Sequence, residues 1–437
     1  MLWQLKVEYV VQVYKKRGET VGATTITVAE GVHLHVIPME KFKTVSAAVL
    51  IRQPLARETA TKTALIPHIL QRGSAKYPTI TDVCAKTETL YGSVFDIQTV
   101  KKGEQQMIQF VMEFLNEQNA GAGLLDACFD FLAEMMTRPL VCDGGFDKAY
   151  TESEKENLGH SIDSRMNNKG EYAKGRLLEI MCKNEPFGVY GDGNKEDLPA
   201  LNEKNTYAHY AHKLETAPID FIVLGNVDEA MLENSIKQRF DFQRGPVADL
   251  PLPVPLYAPR EGRLVEEEMG LTQGKICMGL RSGIDPTGDD FYRLLFMNEV
   301  FGGGANGKLF RNIREKESLC YYVHSFVYRF KGIMLVQSGV DAANFTRVRE
   351  LIEHELDQVK TGKISDAEMD SARKSLIKKY SAVKDYPGSF MDFYLSQHML
   401  NEKIDLDDAI AKIERVNKQD VQESAARLYV DTVYCLR

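Results

Sequence analysis

Each half of this 437-residue chain runs through the same order of parts, and a proline cluster stands between them. The first half reads VSAAVLIRQPL, then TATKTALIPHILQRGS, then a segment ending ETLYGS; the second reads GKICMGLRSGI, then DDFYRLLFMNEVFGGG, then a segment ending ESLCYY. In both, an apolar strand leads to a helix with an apolar face, a glycine break and a second helix closing on a tyrosine. Gly73 to Tyr91 and Gly303 to Tyr321 are both 18 residues. A strand pair and long helices follow each time, VFDIQTVKKGEQQMIQFVMEF with helices over about 121–184, and YYVHSFVYRFKGIMLVQSGV with helices over about 343–430. Such a repeat predicts an α+β fold of two tandem homologous domains, each a mainly antiparallel sheet covered on one face by helices. Five of the fifteen prolines fall between Pro246 and Pro259, where neither a helix nor a central strand tolerates them. The expected division is residues 1–244, a Pro-rich linker over 245–260, and residues 261–437.

Composition removes several classes of function. Hydrophobic residues at 44% and charged residues at 27% are those of a soluble globular chain. The formal net charge of −8, with Lys and Arg dispersed, argues against nucleic acid as a partner, because phosphate binding needs a concentrated basic footprint. No apolar run reaches the roughly 18 residues of a membrane span. The opening MLWQLKVEYVVQVYKKRGE lacks the apolar core and small-residue cleavage site of a signal peptide. Seven scattered cysteines without a Cys-x-x-Cys predict reduced thiols and a cytoplasmic protein.

The stretch FGGGANGKLFRNIREKESLCY, residues 301–321, is the densest in chemistry. Gly302-x-x-x-x-Gly307-Lys308 has the spacing of a phosphate loop, but Leu309 stands where Ser or Thr would hold magnesium, and a helix rather than a strand precedes it. Its glycines are expected to end that helix and allow close backbone approach. Arg314 and Tyr321 are seven residues apart, two turns if both lie on one short helix. One face would then carry a bidentate donor and a phenol, a pair able to hold a peptide carbonyl and its developing oxyanion. The plainer alternative is a solvated helix with a core tyrosine. His209 and His212 share a helical spacing but lack a third ligand nearby, so a partly exposed helix surface is expected. His33 and His35 alternate on one strand face and are expected to pack.

The tandem halves, the Pro-rich linker and FGGG-x-x-GKLF-x-x-IREK-x-x-LCYYV resemble the insulinase/pitrilysin-type inverzincin peptidases, in the bacterial branch close to the mitochondrial processing peptidase. Active members of that family carry His-x-x-Glu-His on the first helix of the first half: two zinc ligands and the glutamate that activates water. Anchored on Gly73, the corresponding five positions here are Ala64-Leu65-Ile66-Pro67-His68. The first histidine is alanine, the glutamate is proline, and His68 alone remains. The further glutamate ligand is expected at or beside His160–Ser161, where no acid stands. One imidazole does not hold catalytic zinc, so no metal and no cofactor is expected in this chain.

The resemblance implies a division of labour. In bacterial heterodimers of this family one subunit keeps the zinc motif and the other keeps the Arg/Tyr pair. This chain is similar to the zinc-less subunit, and more narrowly to a Gram-positive subunit associated with elongation factor P aminopentanol modification; relatives of such pairs trim leader peptides. The expectation is a subunit of a heterodimeric zinc endopeptidase, with zinc, water and general base on a homologous partner. Arg314 and Tyr321 would hold the scissile carbonyl, and Gly302, Gly303 and Gly304 would border the path of a peptide added as a strand. Two other classes are a scaffold or peptide-binding protein, which needs neither Arg314 nor Tyr321, and an active homodimer, against which Ala64 and Pro67 argue.

Overall fold

Strands that read as unbroken apolar runs should be covered on both faces, and those that alternate should face water on one side. Both kinds are present in the computed structural model, which describes residues 10–11, 23–250, 252 and 262–437. Residues 251 and 253–261, which include most of the expected Pro-rich linker, lie outside the described residues. The first sheet contains β1 (Val10–Val11), β2 (Thr24–Ala29), β3 (Val32–Pro38), β4 (Thr44–Pro54), β5 (Val94–Lys102), β6 (Gln105–Leu115) and, after a two-residue hairpin of β7 (Val141–Cys142) and β8 (Gly145–Phe146), β9 (Ile219–Gly225). Their order is β1-β2-β3-β9-β4-β6-β5, antiparallel except for β3 with β9. The second sheet contains β10 (Arg263–Glu267), β11 (Gly274–Arg281), β12 (Cys320–Tyr328), β13 (Ile333–Val340) and β14 (Tyr429–Leu436). Its order is β10-β14-β11-β13-β12, antiparallel except for β10 with β14. The expected class, two mainly antiparallel sheets covered by helices, is the one found.

The chain divides into two compact units that interleave in sequence. The first comprises residues 1–163, 191–251 and 387–395; the second comprises 164–190, 252–386 and 396–437. In the first unit, Val45, Ala47, Val49 and Ile51 of β4 point to one face and join a core with Leu65, Ile66 and Ile69 of the Ala60–Leu70 helix and Phe129, Leu132 and Met136 of the Leu124–Thr137 helix. Edge strand β5 is mostly half-buried, with Val94, Asp96 and Gln98 exposed and Ile97 buried.

In the second unit the expectation of helices on one sheet face is corrected. Gly274 of β11 faces the Phe345–Lys360 helix, where a Cβ would meet the Phe345 ring at 2.4 Å, and Ile276, Met278 and Leu280 are on that side by alternation. The opposite face, with Cys277, Leu335 and Tyr434, is covered by Ala173, Leu177, Met181 and Phe187 from residues 164–190. That segment belongs in sequence to the first half. Every residue of β13 is buried, and all of β11 but Lys275, because both faces have a cover.

Candidate functional site

The Gly288–Asn298 helix widens into a π turn over Glu299–Gly303, and after a tight loop a second helical segment ends in seven π-helical residues, Phe310–Lys316. Wide turns of this kind are rare and often mark functional positions. Ser318 then takes a left-handed backbone (φ 56°), and Leu319 N–H returns to the Ile313 carbonyl at 3.2 Å, closing the helix. Tyr321 therefore lies on β12, not on the helix of Arg314. The expectation of one shared helical face is corrected: the left-handed residue and the pairing of Cys320 with Val340 turn the chain into the sheet first.

Arg314 and Tyr321 meet nonetheless. The Arg314 Nε–H donates to the Tyr321 carbonyl at 3.1 Å, and its guanidinium lies 4.7 Å from the Phe310 ring centroid. Tyr321 is the extra residue of a β-bulge, because the register passes from Cys320↔Val340 to Tyr322↔Gly339. Its side chain is 57% exposed and its hydroxyl donates to Asp341 Oδ1 at 3.2 Å. That contact raises the phenol's pKa, since ionising it would set two negative charges side by side. Tyr322 is half-buried and covers Gly339, with the Lys275 ammonium 5.5 Å from its ring centroid. Among the described residues β12 is the outermost strand of its sheet, so the pair stands at a sheet edge.

The glycine loop is shaped by packing within the second unit. A Cβ on Gly302 would stand 2.6 Å from Leu309 Cδ1 and 2.8 Å from Ser325 Oγ, and one on Gly304 would stand 2.5 Å from Glu299 Oε1. Glu299 is buried and accepts from Ser375 Oγ at 2.6 Å and Lys379 Nζ at 2.7 Å; Lys379 also reaches the Gly303 carbonyl at 3.1 Å. Lys308 is buried and paired with Glu368 at 3.0 Å. Burial alone would push the Glu368 carboxyl up, but hydrogen bonds from Ser365 and Lys308 hold it below the usual carboxylate range. A cavity of about 80 Å³ lies between, lined by Glu299, Gly304, Asn306, Glu368, Ser371 and Ser375. Lys308 and Lys379 are already committed to Glu368 and Glu299, which leaves Lys308 without the role a lysine has in a phosphate loop.

The first-unit helix has no zinc chemistry to offer. Ala64 and Pro67 are buried within it and have no donor side chain, and His68 is half-buried in its last turn. Among the described residues, His68 belongs to no group of three or more ligand-type side chains. His160 and Ser161 are exposed on the Lys148–Ser164 helix. The donor set does not fit a zinc ion.

The histidines follow a pattern that spacing did not reveal. His209 is half-buried on the Glu203–Thr216 helix and shares a 2.9 Å hydrogen bond with Thr63 Oγ1, which also accepts from Gln53 Nε2 at 2.5 Å. Burial lowers its pKa to about 4. His212 is exposed, as expected of a helix surface. His33 and His35 share one strand face, and His35 Nε2 lies 3.1 Å from buried Asp220, itself paired with Arg52 at 2.6 Å. Asp220 gave no sign of this in sequence, because its partners come from β3 and β4.

Residues 209–376 match the family model described as Peptidase M16 inactive domain. A relative named as a probable inactive metalloprotease, YmfF of Bacillus subtilis, is 29% identical over 409 residues, covering 93% of this chain and 96% of the relative. A conserved protein from Enterococcus faecalis has a crystal structure that superposes with a TM-score of 0.89 at 29% identity, over 95% of this chain and 98% of that one. A peptidase M16 inactive domain from Pseudomonas fluorescens superposes at 0.78 with 16% identity, over 95% and 98% of the two chains, a likeness of fold. Over residues 209–376 the chain is thus similar to the peptidase M16 inactive domain, and over nearly its whole length to a probable inactive metalloprotease, in keeping with a first-unit helix that reads Ala64-Leu65-Ile66-Pro67-His68.

Proposed function

We propose that this chain is the non-catalytic subunit of a heterodimeric zinc endopeptidase. A homologous partner bearing His-x-x-Glu-His would hold the metal, and this chain would present Arg314 and Tyr321 to the scissile peptide. The supporting observation is that Tyr321 is bulged out of an edge strand and 57% exposed, with its backbone fixed by Arg314. A large aromatic held in the open contributes little to a core, which leaves its ring and hydroxyl at the surface where a ligand can reach them.

What these residues do follows from their chemistry. The guanidinium keeps its charge at any working pH and has N–H groups beyond the one given to Tyr321. It would orient the carbonyl and oppose the negative charge that grows on its oxygen. The phenol would give its single proton as a hydrogen bond to the same oxygen. The edge strand β12 would offer the substrate backbone a strand to pair with, giving affinity with little sequence demand.

Reconstitution tests the proposal. Purified alone, the chain should contain no stoichiometric zinc and cleave no peptide. Mixed with a His-x-x-Glu-His homologue from the same organism, it should co-purify, and peptidase activity should appear only in the mixture. A zinc-bearing partner fully active by itself, or about one zinc per chain here that is lost on His68→Ala, would refute it.

A further inference from the structure

A phenol has one proton to donate, and in this chain that proton is already engaged. Tyr321 Oη donates to Asp341 Oδ1 at 3.2 Å. The contact is set by the sheet. Val340, the last residue of β13, pairs with Cys320, so Asp341 leaves the strand beside the bulge that carries Tyr321. The Asp341 side chain does not cap the short helical turn it precedes, and among the described residues it has no second hydrogen-bond donor. Its orientation toward Tyr321 is thus not a by-product of another role.

We propose that Asp341 is a latch on the Arg314/Tyr321 site: it holds the Tyr321 hydroxyl at rest, and a substrate carbonyl gains that hydroxyl only by displacing the Asp341 carboxylate. This rests on the role given to Tyr321 above. Carboxylate and oxyanion are both acceptors, so they compete for one proton. Both residues are exposed, so the contact is solvated and weak enough to be exchanged on binding. Removing Asp341 should therefore help catalysis, the reverse of what removing an orienting residue does.

The test uses the reconstituted heterodimer and a quenched fluorogenic peptide, comparing Asp341→Ala, Tyr321→Phe and the double variant. Asp341→Ala should raise kcat/KM by about two- to tenfold, the span of an ordinary net hydrogen bond. The double variant should match Tyr321→Phe alone, because the gain runs through the hydroxyl. An unchanged or lowered kcat/KM in Asp341→Ala, or a gain that survives Tyr321→Phe, overturns the latch. In the isolated chain, ¹³C-tyrosine NMR should show the Tyr321 titration moving to lower pH in Asp341→Asn; an unmoved titration also overturns it. If Tyr321→Phe by itself leaves the heterodimer fully active, the function proposed for the pair fails, and the latch with it.

Discussion

Replacing Arg281 with methionine should loosen the segment that covers the second sheet from the first half of the sequence. Arg281 sits on β11 at 4% exposure. Its Nε donates to Asp431 Oδ2 at 2.8 Å, and its Nη2 donates to Glu185 Oε1 at 2.5 Å and to the Met181 carbonyl at 3.1 Å. Glu185 and Met181 belong to the transposed segment, and Asp431 to β14, so one guanidinium ties the cover to the sheet. Methionine keeps much of the volume but takes the shared cation from buried Asp431 and half-buried Glu185. Breaking a buried pair by removing one partner costs about 3–5 kcal/mol. Lys331, 2.6 Å from Glu185, and Arg263, 3.0 Å from Asp431, remain and point to the lower end. A loss of about 3 kcal/mol is a factor of about 10² in the opening equilibrium of the segment. Hydrogen exchange at Leu177–Cys182 should speed up by that factor, and urea melts should shift accordingly.

The pH dependence supplies a second check. Burial pushes both carboxyls up, but hydrogen bonds from Arg281 and Lys331 hold Glu185 below its ordinary range, and those from Thr432, Arg281 and Arg263 do the same for Asp431. A carboxyl whose folded pKa lies below its unfolded one stabilises fully above the unfolded value of about 4 and loses this as pH falls through the folded value. The gap between parent and Arg281→Met should be widest at neutral pH and should close in acid. A variant as stable as the parent at pH 7, with unchanged exchange at 177–182, refutes the reasoning.

Three further outcomes concern the candidate site. Tyr321→Phe or Arg314→Ala should lower kcat of the heterodimer by about 10²–10³, the usual loss for one oxyanion donor, with assembly intact. Tyr322→Phe should retain turnover, since its half-buried ring packs over Gly339; damage from Tyr322→Phe rather than Tyr321→Phe would mean the wrong tyrosine is assigned. Gly302→Ala or Gly304→Ala should destabilise the second unit by about 1–3 kcal/mol through overpacking, read by thermal denaturation; unaltered stability in both would mean that the loop yields freely.

The elements of the site were legible because they depend on neighbours in sequence. The glycine break after an amphipathic helix, and the absence of donors at Ala64 and Pro67, follow from residue chemistry alone. The joining of Arg314 to Tyr321 did not come from helical spacing. It depends on a left-handed Ser318 and a bulge opposite Val340, and neither has a signal in FRNIREKESLCY: serine seldom adopts positive φ, and a bulge is a property of two strands. Asp341, 20 residues after Tyr321, could be brought to its hydroxyl only by strand register.

The sequence by itself determined the tandem α+β plan, the apolar strands and the loss of the zinc motif. Periodicity, turn residues and side-chain chemistry are local quantities that a single chain displays. Tertiary structure decided which segment covers which sheet. Residues 164–190 read as one more amphipathic stretch of the first half, yet Leu177 and Met181 are buried against Cys277 and Leu335 of the second sheet. An apolar stripe specifies that it must be buried but not against what, because burial depends on area removed from water and is indifferent to sequence distance. The choice is made by shape and by charges such as Glu185, which only the fold brings within reach of Arg281 and Lys331.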